Sequence, residues 1–272
     1  IVLDEASVTA TENILMAATL AEGETIIYNA ACEPHVQDLA NLLNAMGASV
    51  SGIGTNRIHV QGVPSLHGTT HRVQPDFIEI GSFIAAAVAT GGALTIPHAG
   101  DPLVLNIMQR TYARLGVQWR VDDAGTLHLP QQFDRPIQGG IGNDTPKIEE
   151  GIWPAFPSYL MSVAIVLATQ TKGTTLFFEK MFESRMYFVD HLMSMGANII
   201  PCDPHRVVVV GPTQLRGSIL TSPDIRAGMA MLIAACCANG ESLIKNASVI
   251  DRGYEAIEDR LTQLGANMVR EL

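Results

Sequence analysis

Hydrophobic and polar positions along the chain fall into three recurring patterns. The first is a run of Ala, Leu, Ile and Met that is apolar on every side, as in MAMLIAACCA over residues 229–238. It predicts a helix buried in the middle of a domain. The second has helical period: between residues 252 and 264, Ile257, Leu261 and Leu264 fall at i, i+4 and i+7, one face of an amphipathic helix. The third is alternation in short runs. SVSGIGTNRIHVQGV, residues 49–63, predicts two strands folded about a GIGTN turn, and ANIIPCDPHRVVVVG, residues 197–211, repeats the arrangement with a proline in the turn.

These patterns recur in a fixed order. LLNAMGASV (42–50) reappears as TYARLGVQW, HLMSMGANI and RLTQLGANM, which puts equivalent glycines at Gly47, Gly116, Gly196 and Gly265, spaced 69, 80 and 69 residues apart. LAEGETIIYNA (20–30) reappears as ATGGALTIPHA, TQTKGTTLFFE and CANGESLIKNA, and GVPSLHG (62–68) as GPTQLRG (211–217). The chain thus reads as four copies of one unit of about 70 residues. Each unit runs through an apolar helix, a glycine cap, a short strand, an amphipathic helix ending at a second glycine, and a strand pair. Such units predict an α/β layered fold rather than a solenoid of small repeats. The connection over residues 130–157, rich in glycine, proline and charge, reads as a loop.

Composition narrows the classes of function. The 272 residues are 47% hydrophobic and 16% charged, enough for a sizeable core in one or two domains. A net charge of −10 repels phosphate backbones and anionic lipids, so neither nucleic acid nor membrane is expected as a partner. The longest apolar stretch, 228–238, is too short for a bilayer core that needs roughly 20 residues. Cys32, Cys202, Cys236 and Cys237 form no metal-like spacing; Cys236 and Cys237 read as core thiols, reduced in a cytosolic setting. No metal or cofactor is expected.

Several polar residues stand at predicted helix starts. Thr9 and Glu12 have capping-box spacing, as do Asp76 and Glu79. Ser222 reads as an N-cap with Pro223 in the first helical position. Glu183 and Arg185 read as an ion pair. Arg226 and Arg252 are different, because a cation at a helix start opposes the helix dipole and predicts an anion or carboxylate to be held.

Six segments then carry a resemblance that extends over nearly the whole chain: ASVTATENILMAATLAEGETII, EPHVQDLANLLNAMGASVSGIGTN, RVQPDFIEIGSFIAAA, FESRM, DIRAGMAMLIAA and IDRGYEAIEDRLTQLGA. In order and content they resemble the enolpyruvyl transferase family, and within it the branch that acts on UDP-N-acetylglucosamine. The resemblance implies an inside-out α/β barrel fold of six repeat units in two domains, with substrates bound in the cleft between them. Four units are read here. Residues 1–70 would be the last unit of the first domain, and 71–272 a second domain of three units (71–130, 150–217 and 218–272), with two units expected ahead of Ile1.

The implied reaction moves the enolpyruvyl group of phosphoenolpyruvate onto the 3-hydroxyl of UDP-N-acetylglucosamine in peptidoglycan precursor synthesis, in the cytoplasm. By the same resemblance Ser7, Val8 and Thr9 contact the nucleotide, and Met181 and Phe182 neighbour the nucleotide sugar. Arg185 steadies the site, Arg72 bears on the passage between domains, and Arg252 takes the phosphoenolpyruvate carboxylate, while Arg226 remains a substrate-binding candidate on its charge placement alone. The resemblance places the reactive cysteine loop and a Lys-Asn pair in the units ahead of Ile1. One position departs from the family. Its Phe-Pro-Thr-Asp motif reads Phe156, Pro157, Ser158, Tyr159 here, so a phenol stands where the family has the carboxylate base. A tyrosine near its ordinary pKa of about 10 is a weak base at neutral pH. Two other readings share these features: a non-catalytic nucleotide-sugar binder, and a 5-enolpyruvylshikimate 3-phosphate synthase-like transferase.

Overall fold

A computed structural model of the chain describes residues 1–132, 136–139, 144–182 and 184–271. They divide into two compact units, one of Ile1–Pro75 with Gly151–Ala155, the other of Asp76–Glu150 with Phe156–Leu272.

The first unit runs α1 (Val8–Thr19), β1 (Glu24–Tyr28), α2 (Pro34–Ala45), β2 (Ser49–Ser51) and β3 (Arg57–Gln61). The sheet has the order β1-β3-β2 and is antiparallel throughout, with Ile27 opposite Ile58 and Val50 opposite Val60. Alternation turns Val50, Ile58 and Val60 to one face, where Leu15 and Ala18 of α1 and Val36, Ala40 and Leu43 of α2 close over them. Gly151–Ala155 joins this unit through the Cys32 thiol, which donates to the Trp153 carbonyl at 3.1 Å.

The second unit repeats the order: α3 (Phe77–Ala89), β4 (Leu94–Ile96), α4 (Pro102–Tyr112), β5 (Arg120–Val121) and β6 (Leu127–Leu129). There follow β7 (Lys147–Glu149), α5 (Met161–Thr169), β8 (Gly173–Phe178), α6 (Val189–Ser194), β9 (Asn198–Asp203) and β10 (Arg206–Gly211). The last elements are β11 (Ile219–Thr221), α7 (Ile225–Cys237), β12 (Leu243–Lys245) and α8 (Ile257–Gln263). Sheet orders are β4-β6-β5, β7-β8-β10-β9 and β11-β12. The fold is therefore mixed α/β. Helices α3, α5 and α7 pack against one another in the interior, and all nine residues of α5 are buried.

Sequence markers coincide with backbone geometry. Gly47, Gly116, Gly196 and Gly265 all lie at positive φ, 98°, 73°, 100° and 104°. After the first and third of them the chain is fixed alike, by the His67 amide on the Met46 carbonyl (2.9 Å) and the Arg216 amide on the Met195 carbonyl (2.8 Å).

The structure adds one kind of strand that the hydrophobic pattern did not predict. β7 lies inside the connection read as a loop and pairs in parallel with β8; β11 does the same with β12, and Val2 forms a parallel bridge to Tyr28. Two to three residues carry too little periodicity to stand out. They are strands because a parallel neighbour across a helical crossover supplies their hydrogen bonds. Two smaller expectations also fail. Leu264 is 58% exposed because α8 ends at Gln263, one residue short of it. Cys236 is exposed and Cys237 only half-buried, since the apolar run reaches the surface in its last turn.

Gly196→Ala would force a Cβ into the left-handed region at φ 100°, with the Gln214 carbonyl already 3.3 Å from that position. We expect a loss of about 1–2 kcal/mol in urea denaturation, and none for an alanine at exposed Ser194.

Candidate functional site

The N-terminal turn of α1 carries the first candidates. Its N-cap is Ser7, in extended conformation, whose Oγ accepts the Ala10 amide at 3.3 Å. Thr9 is therefore not the cap. It lies inside the helix beyond Val8, so the capping box with Glu12 does not form. Glu12 instead faces Glu33, and burial followed by that second negative charge raises its pKa. Glu33 precedes Pro34 of α2, is buried with no partner for its Oε2 atom among the described residues, and its pKa is raised chiefly by burial.

In the second unit, Asp76 caps α3 through the amides of Ile78 (2.8 Å) and Glu79 (3.3 Å). Glu79 does not complete the box, because a bidentate pair with Arg260 draws its carboxylate away (2.9 Å from Nη1). Asp224 rather than Ser222 caps α7, accepting from Arg226 and Ala227 at 2.8 and 2.9 Å. Ser222 is buried and donates to the Asp224 carbonyl.

Residues of three helices, α3, α5 and α7, meet around Arg226. Its guanidinium lies 5.1 Å from the ring centre of Tyr159 and 5.8 Å from that of Tyr254, and Nη1 reaches the Tyr254 hydroxyl at 3.4 Å. That hydroxyl is 2.7 Å from Ser82 Oγ on α3, and the Arg226 carbonyl accepts from Ser162 Oγ on α5. Burial holds the Tyr254 phenol above its usual pKa, against the opposing pull of Ser82 and Arg226. The cation at the start of α7 is thus set against two aromatic faces, an arrangement that tolerates a desolvated charge. Arg252 is placed differently. It ends a 3-10 helix, Ala247–Arg252, five residues before α8 begins, so its charge favours that local dipole; it is exposed.

Met181 and Phe182 follow β8 and are 37% and 38% exposed, with the Arg185 guanidinium 4.3 Å from the Phe182 ring centre. Glu183, expected as the partner of Arg185, lies outside the described residues. Arg72 is exposed.

Sequence reading passed over the acids behind this segment. Glu150 and Glu179 are 0% and 1% exposed. Glu150 Oε1 accepts the Lys180 amide at 2.6 Å and that of Met181, and Ser158 Oγ donates to Glu179 Oε1 at 3.0 Å. Burial first, then the Glu150 charge, pushes the Glu179 carboxyl up to about 8, with the Arg185 cation pulling weakly the other way. One sequence signal existed: Glu179 closes the strand TTLFFE, an acid directly after two phenylalanines. Tyr254 was likewise present in IDRGYE without a role.

A family model described as EPSP synthase (3-phosphoshikimate 1-carboxyvinyltransferase) matches residues 1–261, and the chain belongs to that family. Among its relatives, UDP-N-acetylglucosamine 1-carboxyvinyltransferase of Borrelia garinii subsp. bavariensis is 53% identical over 98% of this chain and 62% of that protein. The proteins of that name from Treponema pallidum (54% identical, covering 99% of the chain and 63% of the relative) and Bradyrhizobium diazoefficiens (54%, 98% and 62%) are similar to the same degree. The chain therefore spans about 62% of the length of these relatives. In fold it is similar to the enolpyruvyl transferase NikO from Streptomyces tendae (TM-score 0.80, 24% identity, 95% of this chain and 59% of that one). EPSP synthase from Acinetobacter baumannii shares the fold as well (TM-score 0.75, 20% identity, 98% and 62%).

The Glu179 proton links stability to pH. Folded protein keeps it where unfolded chain has lost it, so its contribution is full below the ordinary glutamate range and is lost as pH rises through about 8. Melting temperature should fall over that interval, and Glu179→Gln should flatten the slope. An unchanged slope in the variant would place the titrating group elsewhere.

Proposed function

We propose that this chain is part of an enolpyruvyl transferase that moves the enolpyruvyl group of phosphoenolpyruvate to the 3-hydroxyl of UDP-N-acetylglucosamine, a step of peptidoglycan precursor synthesis in the cytoplasm. The observation that carries this reading is identity at just over half of all aligned positions, across 98% of the chain, to proteins named for that transfer. The chain would supply four of six repeat units. Residues 1–70 would close the first domain and 71–272 form the second.

Within it, Ser7, Val8 and Thr9 would meet the nucleotide, using the positive end of the α1 dipole. Met181 and Phe182 would offer apolar surface to the nucleotide sugar, beside the Arg185 cation. Arg252, an exposed planar donor fork, would take the carboxylate of phosphoenolpyruvate, and Arg226 would add positive field to a chain of net charge −10.

Tyr159 favours a second reading, a nucleotide-sugar binder without turnover. Its ring packs against Arg226, and a phenol replaces the carboxylate that the family uses to deprotonate the sugar. Calorimetric titration with UDP-N-acetylglucosamine, competed by shikimate 3-phosphate, tests the substrate class. Binding that shikimate 3-phosphate does not displace is the expected result; tighter binding of shikimate 3-phosphate would move the chain to the shikimate branch. Arg252→Ala should weaken phosphoenolpyruvate binding by at least about tenfold. Phosphate release that rises in Tyr159→Asp would identify a lost base, whereas release already present in the native chain and unchanged in the variant would assign the proton transfer to another residue.

A further inference from the structure

We propose that Glu150 is a positioning residue for ligand binding: joined to Glu179 through one shared proton, its carboxylate holds the backbone at Lys180 and Met181 in the shape that presents Met181, Phe182 and Arg185 to a nucleotide sugar. The ligand class rests on the function proposed above; the carboxyl pair does not.

Topology places the two acids together. β7 and β8 are parallel, with Lys147, Ile148 and Glu149 opposite Leu176, Phe177 and Phe178, so the next residues in register are Glu150 and Glu179. Neighbours at one register position of a parallel pair share a face. Both side chains are fully buried, where two ionised carboxylates side by side are strongly disfavoured.

The hydrogen bonds account for a single proton. Glu150 Oε1 takes the amides of Lys180 and Met181, and Glu179 Oε1 takes the Ser158 hydroxyl. Glu150 Oε2 is buried and receives no donor among the described residues, a vacancy that a protonated Glu179 fills. Other charges nearby leave the pair intact. Arg185 faces Glu179 and weakly favours its ionised form. The His205 ring nitrogen meets only the Glu179 main-chain carbonyl (3.0 Å). Lys180 and Lys147 turn their ammonium groups to Glu149, at 3.7 and 2.7 Å.

Beyond Met181 the backbone enters the left-handed region at Ser184, φ 65°, an uncommon conformation for a residue with a Cβ. Such a conformation persists where surrounding contacts fix it, and the nearest fixed points ahead of it are the Lys180 and Met181 amides on Glu150. Loss of the shared proton would set two negative charges against each other, loosening the grip on those amides and displacing Met181, Phe182 and Arg185 together.

The test has two readouts on the same protein. Amide resonances of Lys180 and Met181 in 15N-labelled protein should move with pH, with a midpoint well above the ordinary glutamate range of about 4.3, and Glu179→Gln, whose side-chain amide donates permanently, should abolish that movement. UDP-N-acetylglucosamine affinity should fall by roughly tenfold from about pH 6 to about pH 8.5 in the native protein and lose this dependence in Glu179→Gln. Glu150→Ala should weaken binding at both values while far-ultraviolet dichroism stays native. Amides that do not titrate above the glutamate range overturn the proposal, as does titration of the amides with pH-independent binding. Titrating amides without any binding would sink the nucleotide-sugar reading and leave the carboxyl pair standing.

Discussion

Mutual packing of α3, α5 and α7 sets the terms for the rest of the second unit. These helices are apolar on nearly every side and pack tightly; a Cβ at Gly81 of α3 would stand 2.7 Å from the side chain of Leu160, the residue just ahead of α5. Strands β8 and β10 pack against the buried α5, and β4 against α3. Tyr159 before α5, Arg226 at the start of α7 and Ser82 in the middle of α3 are brought together by that packing, with the Tyr254 hydroxyl linking Arg226 to Ser82.

Electrostatics around these helices is local. A chain of net charge −10 presents Arg226, Arg185 and Arg252 in one unit, each in its own setting: between two phenol rings, over a phenylalanine, and exposed at the end of a 3-10 helix. The first two arrangements hold a half-buried cation against aromatic faces without neutralising it, so its field remains available to an anion. Glu150 and Glu179 solve the opposite problem. Two acids are buried at adjacent register positions, and amides, a serine hydroxyl and a retained proton offset the cost of removing them from water.

Tyr159 sets how the Arg226 guanidinium is held. A carboxylate at that position would form an ion pair with a neighbouring guanidinium; the phenol offers a face instead. The Arg226 guanidinium then sits over the ring with its hydrogen-bond donors directed elsewhere, one of them toward the Tyr254 hydroxyl.

By itself the sequence determined what short-range periodicity and glycine spacing encode. The buried helices, the strand pairs over residues 49–61 and 198–211, and the left-handed glycines at Gly47, Gly116, Gly196 and Gly265 all follow from spacing along the chain. Cap identity was less legible, because Ser7 and Thr9, or Ser222 and Asp224, are equally competent acceptors and only the backbone angle at the turn selects between them. Tertiary structure alone decided the parallel strands β7 and β11, the pairing of Arg226 with Tyr159 and Tyr254, and the contact of Glu150 with Glu179. Each joins segments distant in sequence whose meeting depends on a crossover or on helix packing, and no local pattern records which partner a residue will find there.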